Sequence, residues 1–428
     1  MRDNKVPIGV SSIGLRTTLA IFAVALFVAG TGASQETVLH SFGNGTDGNS
    51  PTTGLIQDGA GNLYGTTVGG GIHGYGTVFE LTPNGSGGWT ETVLHSFNQN
   101  GSDGAYPYAG LAFDAAGNLY GTTSNGGIHA CDGIIFNCGT VFELSPRQGG
   151  GWTETVLHSF NSPGDGYYPY AGLTFDSHGN LYGTTSQGGI HGFGTVFELT
   201  PRQGGGWTET VLHSFGNNQD GWYPDAGLIV DGAGNLYGTT SQGGIHSLGA
   251  VFELMPNGGG GWMERVLHSF GNGTDGANPA ASLVLDSQGN LYVTTLAGGI
   301  HTCVNYNCGT VLELSPQQGG GWTERVLHSF NQNGSDGANP VAGLIFDAAG
   351  NLYGTALDGG IHTYYGTVFE FSPEQDGNWT ERILHSFGNG TDGTQPHAGM
   401  IFDTAGHLYG TTTGGGIHNG GTAFQITP

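Results

Sequence analysis

A closed ring of seven four-stranded β-blades, an all-β propeller, is the fold this sequence predicts, and three observations predict it. The tetrad LHSF recurs seven times, with its histidine at His40, His95, His158, His213, His268, His328 and His385. Each interval holds four short runs separated by Gly, Asn, Asp or Pro, the punctuation of strands and turns. The chain ends are complementary, since the first LHSF run lacks three preceding strands and the last repeat stops at Gly421–Thr427 without an LHSF run. Pairing the two completes a seventh blade and removes the exposed edge of an open array.

The third repeat sets out the elements in order. They are AGLTFD (Ala171–Asp176), NLYGTTS (Asn180–Ser186), GTVFELT (Gly194–Thr200) and WTETVLHSF (Trp207–Phe215). Valine, threonine, tyrosine and phenylalanine dominate them, as suits pleated, packed surfaces. Periods of this length with four strands point to propeller blades rather than the shorter coils of a β-helix.

Residues 1–34 stand outside that pattern. Arg2, Lys5 and Arg16 precede the apolar run Leu19–Ala29, and small residues follow to Ala33 and Ser34. This is the layout of a secretory signal peptide, cleaved after Ala33. Eleven apolar residues are short for a bilayer core of about 30 Å, so no membrane attachment is expected after cleavage. Residues 35–428 are expected as one domain, monomeric, and secreted, periplasmic or displayed at the cell surface.

Without the leader the chain keeps five arginines, no lysine and 32 acids. Nucleic acid and anionic membranes require basic patches, so both are disfavoured as partners. Lysine-based catalysis is excluded. A neutral, cationic or calcium-bridged ligand fits the charge better. The four cysteines form two close pairs, Cys131/Cys138 and Cys303/Cys308, in insertions of the second and fifth repeats. An exported chain predicts two disulfides there. A zinc site drawing in His129 or His301 would be expected to show tighter spacing and four ligands, and no metal is expected.

The pairing of GNLYGTT with GTVFEL, repeated along the whole exported chain, resembles the bacterial Gloeobacter/Verrucomicrobia ("GloVer") tandem-repeat proteins. The resemblance implies an exported, propeller-like protein and carries over no catalytic residue. Members often end in a surface-sorting segment. This sequence stops at Ile426-Thr427-Pro428, which favours a secreted or periplasmic product. The strand order also resembles that of NHL-type propellers. That likeness implies that the loops after LHSF and those holding GGIH open on one face, here the top.

Fourteen of the seventeen histidines are periodic: the LHSF set, and His73, His129, His191, His246, His301, His362 and His418 in GGIH. Blade packing must be solved once per blade, whereas a binding site in a ring breaks its symmetry. The periodic histidines therefore read as hydrogen-bonding struts. The repeated tryptophans (Trp89 to Trp379) and the FEL glutamates such as Glu80 and Glu198 read as packing residues. Asp47, Asp103, Asp275, Asp336 and Asp392 in the GTDG and GSDG tracts read as turn-capping residues, with calcium as the alternative.

The segments leading into the inner strands do differ. They run GNSPTTG, GAYPYAG, GYYPYAG, GWYPDAG, GANPAAS, GANPVAG and GTQPHAG. Three consecutive repeats gain Tyr106 and Tyr108, then Tyr167, Tyr168 and Tyr170, then Trp222 and Tyr223 with Asp225. Aromatic faces beside carboxylates and amides suit sugar rings, and exposed aromatic patches mark interaction sites. These eight residues are the predicted ligand-binding set, for a polysaccharide or a surface protein. A carbohydrate-active enzyme, a lyase or a glycoside hydrolase, is the second reading. It would need a carboxylate pair or a general base, for which Asp165, Asp220, Asp225, His178 and His397 are the candidates. A structural envelope protein is the third.

Overall fold

The computed structural model describes residues 34–428, apart from 130, 132–137, 162–163, 218 and 304–307. The expected leader lies outside the described residues. Among these residues the secondary structure is β-strand throughout, arranged as seven four-stranded antiparallel sheets and two short two-stranded ones. The first blade comprises Ile56–Gln57, Leu63–Thr67, Thr77–Pro83 and Trp89–Ser96, from inside to outside. Blades two to six repeat this, with inner strands starting at Ala112, Thr174, Ile229, Val284 and Ile345. The seventh joins Ile401–Phe402, Leu408–Thr412 and Thr422–Thr427 to the N-terminal strand Gln35–Ser41, in register from Gln35↔Thr427 to Ser41↔Thr422. The expected closure is present.

The inner strands are shorter than their sequences suggest, two residues in place of six. Their Ala-Gly segments instead bond between blades. The threonine of each LYGT run donates to a carbonyl of the next blade: Thr66 to Ala109, Thr122 to Ala171, Thr184 to Ala226, Thr239 to Ala281, Thr294 to Ala342 and Thr355 to Ala398. Thr411 donates to Thr53 at 2.9 Å and closes the circle. Backbones crowd at the centre. A Cβ on Gly54 would lie 3.0 Å from the Gly399 carbonyl oxygen, and one on Gly399 would lie 3.3 Å from that of Gly343. Only small residues permit this approach, and Ser282 is the largest of the seven at that position.

Within a blade, the glycine of LYGT makes room for the phenylalanine of VFEL. A Cβ on Gly183 would sit 2.5 Å from the Phe197 ring, and one on Gly238 would sit 2.5 Å from Phe252. The fifth blade changes both partners together, pairing Val293 with Leu312. Side-chain volume is conserved, as close packing demands. Between blades, each outer-strand tryptophan packs on a tyrosine of the preceding blade, Trp152 on Tyr64 and Trp379 on Tyr292 among them. In four blades the tyrosine hydroxyl donates to the FEL glutamate, as Tyr64 to Glu80 at 2.9 Å and Tyr182 to Glu198 at 3.1 Å. The packing roles read from periodicity hold for both residue types.

The LHSF histidines are struts, as expected. A bulge at the preceding leucine in every outer strand, such as Leu212 between the pairs Val196↔His213 and Phe197↔Val211, re-aims the histidine. Its Nε2 then meets the aspartate of the following loop in all seven blades, at 3.0–3.3 Å. In most of them a second aspartate oxygen caps the loop, as where Gly43 N–H donates to Asp47. The GGIH histidines differ from expectation: His73, His191, His246 and His418 are exposed, with no side-chain hydrogen bond among the described residues. Their loops are held instead by the LHSF serine, whose hydroxyl accepts from Ile72 N–H at 2.8 Å in the first blade. Both disulfides are present, Cys131–Cys138 and Cys303–Cys308, with Cα separations of 5.2 and 5.3 Å.

Candidate binding site at the axial mouth

Antiparallel order places the GGIH loops and the lead-in segments on one face, and the DAAGN-type turns on the other. Bridges such as Asn49↔Gly69, Tyr167↔Gln187 and Trp222↔Gln242 tie each lead-in to the GGIH loop of its own blade. The residue before each proline is held at positive φ in every blade: Ser50, Tyr106, Tyr168, Tyr223, Asn278, Asn339 and Gln395, all between 54° and 59°. Asparagine tolerates this conformation; a tyrosine there carries backbone strain. Its N–H donates to the GGIH loop of the preceding blade, as Tyr106 does to Tyr75 at 2.8 Å and Tyr168 to Cys138 at 3.0 Å. The stapled loop of the second blade thus adjoins Tyr168.

Two residues on, just before the Ala-Gly segment at the axis, stand Thr52, Tyr108, Tyr170, Asp225, Ala280, Val341 and His397. They occupy one position per blade around the channel mouth, and the seven side chains differ widely. Tyr108 is 41% exposed and meets Tyr170 edge-on at 5.4 Å. Tyr170 in turn stacks near Tyr168 at 6.1 Å, and Tyr168 meets Tyr167 at 5.0 Å. Burial, with the neighbouring Tyr108, Tyr168 and Asp225, pushes the Tyr170 hydroxyl up to about 12. It stays a neutral donor.

Asp225 continues the arc. Burial raises its carboxyl above the ordinary range, against hydrogen bonds from Ser186 and Ser241. Ser241 donates to Oδ2 at 2.9 Å, while Oδ1 is buried without a hydrogen-bond partner. On the far side of the ring His397 is exposed at the mouth, although the surrounding walls desolvate its imidazole and hold it below the ordinary range. Asp225 and His397 belong to blades four and seven, separated around the axis by Ala280 and Val341. The arrangement offers aromatic edges and faces, hydroxyl donors and one acceptor.

The remaining predicted residues divide. Tyr106 packs on Tyr75 at 5.6 Å. Trp222 stacks on Phe193 at 4.8 Å, with Tyr223 beside it at 5.9 Å. These two clusters flank the Tyr108–Tyr170–Tyr168 arc as separate groups. Asp220 is taken up by His213 and by the amide of Gly216, and Asp165 by His158, like their equivalents in the other blades. His178 lies in an exposed turn on the opposite face beside Asp176. Sequence reasoning missed Tyr75, Phe193, Tyr364 and Tyr365, the last two 52% and 43% exposed. Comparing GGIHGYG, GGIHGFG and GGIHTYYG with GGIHSLG would have found them.

Two open grooves of about 550 and 650 Å³ lie away from the axis. The first runs between blades five and six past Tyr292, Asp347 and Trp379; the second borders His246, His268 and Trp322. Both are built mainly from residues repeated in other blades, so neither distinguishes one place on the ring.

The class of protein is thereby defined: a closed seven-bladed β-propeller assembled from tandem repeats, with an asymmetric mouth on one face. The chain belongs to the Gloeobacter/Verrucomicrobia repeat family, whose profile matches residues 25–138, 128–323 and 302–428. No curated protein matches it. Among solved structures it is similar to the extracellular domain of a B. thetaiotaomicron protein assigned as a hybrid two component system, with a TM-score of 0.55 at 10% identity. That match covers 91% of this chain and 39% of the other, so this chain spans about two fifths of its neighbour's length. A Thermus thermophilus protein assigned as an oxidoreductase (glucose dehydrogenase) aligns at a TM-score of 0.41 and 17% identity, over 75% of this chain and 96% of that one.

Proposed function

We propose that this protein is an exported, non-catalytic propeller that binds a neutral polysaccharide at the axial mouth. The observation that carries the reading is the inequality of the mouth ring: Tyr108, Tyr170 and Asp225 adjoin one another on three consecutive blades. Sugar C–H faces pack on tyrosine rings, and sugar hydroxyls pair with an exposed phenol such as that of Tyr108. Formal charge of −25 disfavours polyanions as ligands. The two disulfides and the N-terminal segment support export, in keeping with the extracellular neighbour.

A carbohydrate-active enzyme is the second reading, favoured by the raised carboxyl of Asp225 in the same mouth. A polysaccharide pull-down on the purified protein, followed by a reducing-end assay on any retained polymer, separates the two. Retention without new reducing ends, lost in Tyr170→Ala, is expected. New reducing ends would replace binding with catalysis, and no retention of any neutral polymer would overturn the reading.

A further inference from the structure

The LHSF histidine and its loop aspartate are met, at every blade interface, by the glutamate of the next outer strand. Glu36 faces His385 and Asp392, Glu154 faces Asp103 and His95, and Glu264 faces His213 and Asp220. Seven copies look alike in sequence. At the interface of blades five and six the copy departs from the others in three ways.

First, Asp336 uses its oxygens differently. In Asp47, Asp275 and Asp392 one oxygen meets the histidine and the other accepts a loop amide. In Asp336 both His328 and the Asn331 amide turn to Oδ2, at 3.1 and 2.9 Å. Oδ1 is left buried with no hydrogen-bond partner, on a side chain only 6% exposed. His95 and Asp103 share the eight-residue spacing and the amide bond to Oδ2, but there the Gly104 amide takes Oδ1 at 2.7 Å.

Second, Glu381 shares a buried, unpartnered Oε1 with its equivalents Glu36, Glu91, Glu154, Glu209 and Glu264, but it alone among the described residues also brings Oε2 to 3.9 Å from the histidine, His328 Nε2. Third, Phe371 stands where five other blades have leucine. Its ring packs 5.0 Å from His328 and walls off the cluster. Two carboxylates facing each other beside an imidazole need a proton or a cation between them.

We propose that His328, Asp336 and Glu381 form a binding site for a divalent transition-metal ion of the zinc class. The three ligand atoms lie within 4.8 Å of one another. Tetrahedral zinc with bonds of 2.0–2.2 Å holds its ligands about 3.4 Å apart, so the site needs only a small contraction. Imidazole with two carboxylates suits zinc or manganese, whereas calcium would want six to eight oxygens. Two carboxylates neutralise the ion, and His328 ligates through Nε2 with its proton on Nδ1. The ion clamps the outer strand of blade five to that of blade six. His158–Asp165–Glu209 and His268–Asp275–Glu324 share the donor set, but Asp275 keeps both oxygens bonded.

The test uses the full chain stripped by a chelator and titrated with zinc alone, by calorimetry and by metal analysis after desalting. Wild type is compared with Glu381→Gln and with Glu264→Gln at another interface. One equivalent should be retained by wild type and Glu264→Gln, and affinity should fall at least tenfold in Glu381→Gln. Cobalt added to the wild type should give the visible bands of a tetrahedral site, a readout that needs no variant. Equal stoichiometry in wild type and Glu381→Gln would assign the zinc to surface histidines such as His73 and His191 and overturn the proposal. So would a wild type that retains no metal and gives no cobalt bands, which would leave the two carboxylates sharing a proton.

Discussion

Replacing Tyr168 by asparagine tests the binding site while holding the fold nearly constant. Tyr168 sits at φ 58°, and asparagine already occupies the equivalent position at Asn278 and Asn339, at 56° and 57°. Left-handed backbone costs a Cβ-bearing residue about 1–2 kcal/mol, part of which asparagine recovers. The new side chain also gains a hydrogen bond. Asn278 Nδ2 donates to the Ser241 carbonyl at 2.9 Å and Asn339 to that of Leu296 at 3.0 Å, and the matching acceptor for residue 168 is Ser124. Such a bond contributes about 1 kcal/mol. Against these gains stands the half-buried ring with its contacts to Tyr167 and Tyr170, worth about 1–2 kcal/mol with burial included. The terms cancel to within about 1 kcal/mol, which in a chain of this size shifts Tm by no more than about 2 °C. Polysaccharide retention, by contrast, should fall at least tenfold. Calorimetry and the pull-down on the same preparation give both readings. A loss of stability above about 3 kcal/mol would make Tyr168 a packing residue and refute the argument, as would unchanged retention.

Two further predictions concern the repeat itself. Five blades pair two threonine hydroxyls across the second and third strands, as Thr67 and Thr77 do at 2.7 Å. The fourth blade pairs Thr240 with Ala250 and leaves the Thr240 hydroxyl buried without a partner. Ala250→Thr should therefore stabilise the protein by about 1 kcal/mol, read by chemical denaturation, and an equal loss would mean that the pocket has closed. Stability should also fall as pH rises from about 5 to 8. Burial first of all raises Glu36, Glu91, Glu154 and Glu264 from 4.5 to about 7. A raised folded value stabilises below the unfolded value and ceases to do so as pH climbs through the folded one. Partial exposure screens each glutamate, leaving about 1 kcal/mol apiece. The resulting fall in Tm is about 5 °C, and His40, whose imidazole burial lowers, opposes it in part. A flat profile in metal-free buffer would contradict the assigned burial.

The sequence by itself determined the blade count, the closure and the symmetric roles. A seven-fold repeat must solve the same packing problem seven times, so identical residues identify themselves as structural: Trp152 on Tyr64, Tyr182 on Glu198, His213 on Asp220. It also exposed the broken symmetry of the lead-in segments, which is where the candidate site lies. It did not reveal that the ring around the axis is Thr52, Tyr108, Tyr170, Asp225, Ala280, Val341 and His397. That ring exists only because each lead-in segment makes a left-handed turn two residues before it, ahead of the inner strand. Nor could it separate Tyr106 and Trp222, turned onto Tyr75 and Phe193, from Tyr108 and Tyr170 at the mouth, because neighbours on adjacent blades are some 55–63 residues apart in the chain. The His328–Asp336–Glu381 cluster was hidden for the same reason. Its glutamate is contributed by the next blade, and only the bulge in the outer strand brings the histidine round to meet it.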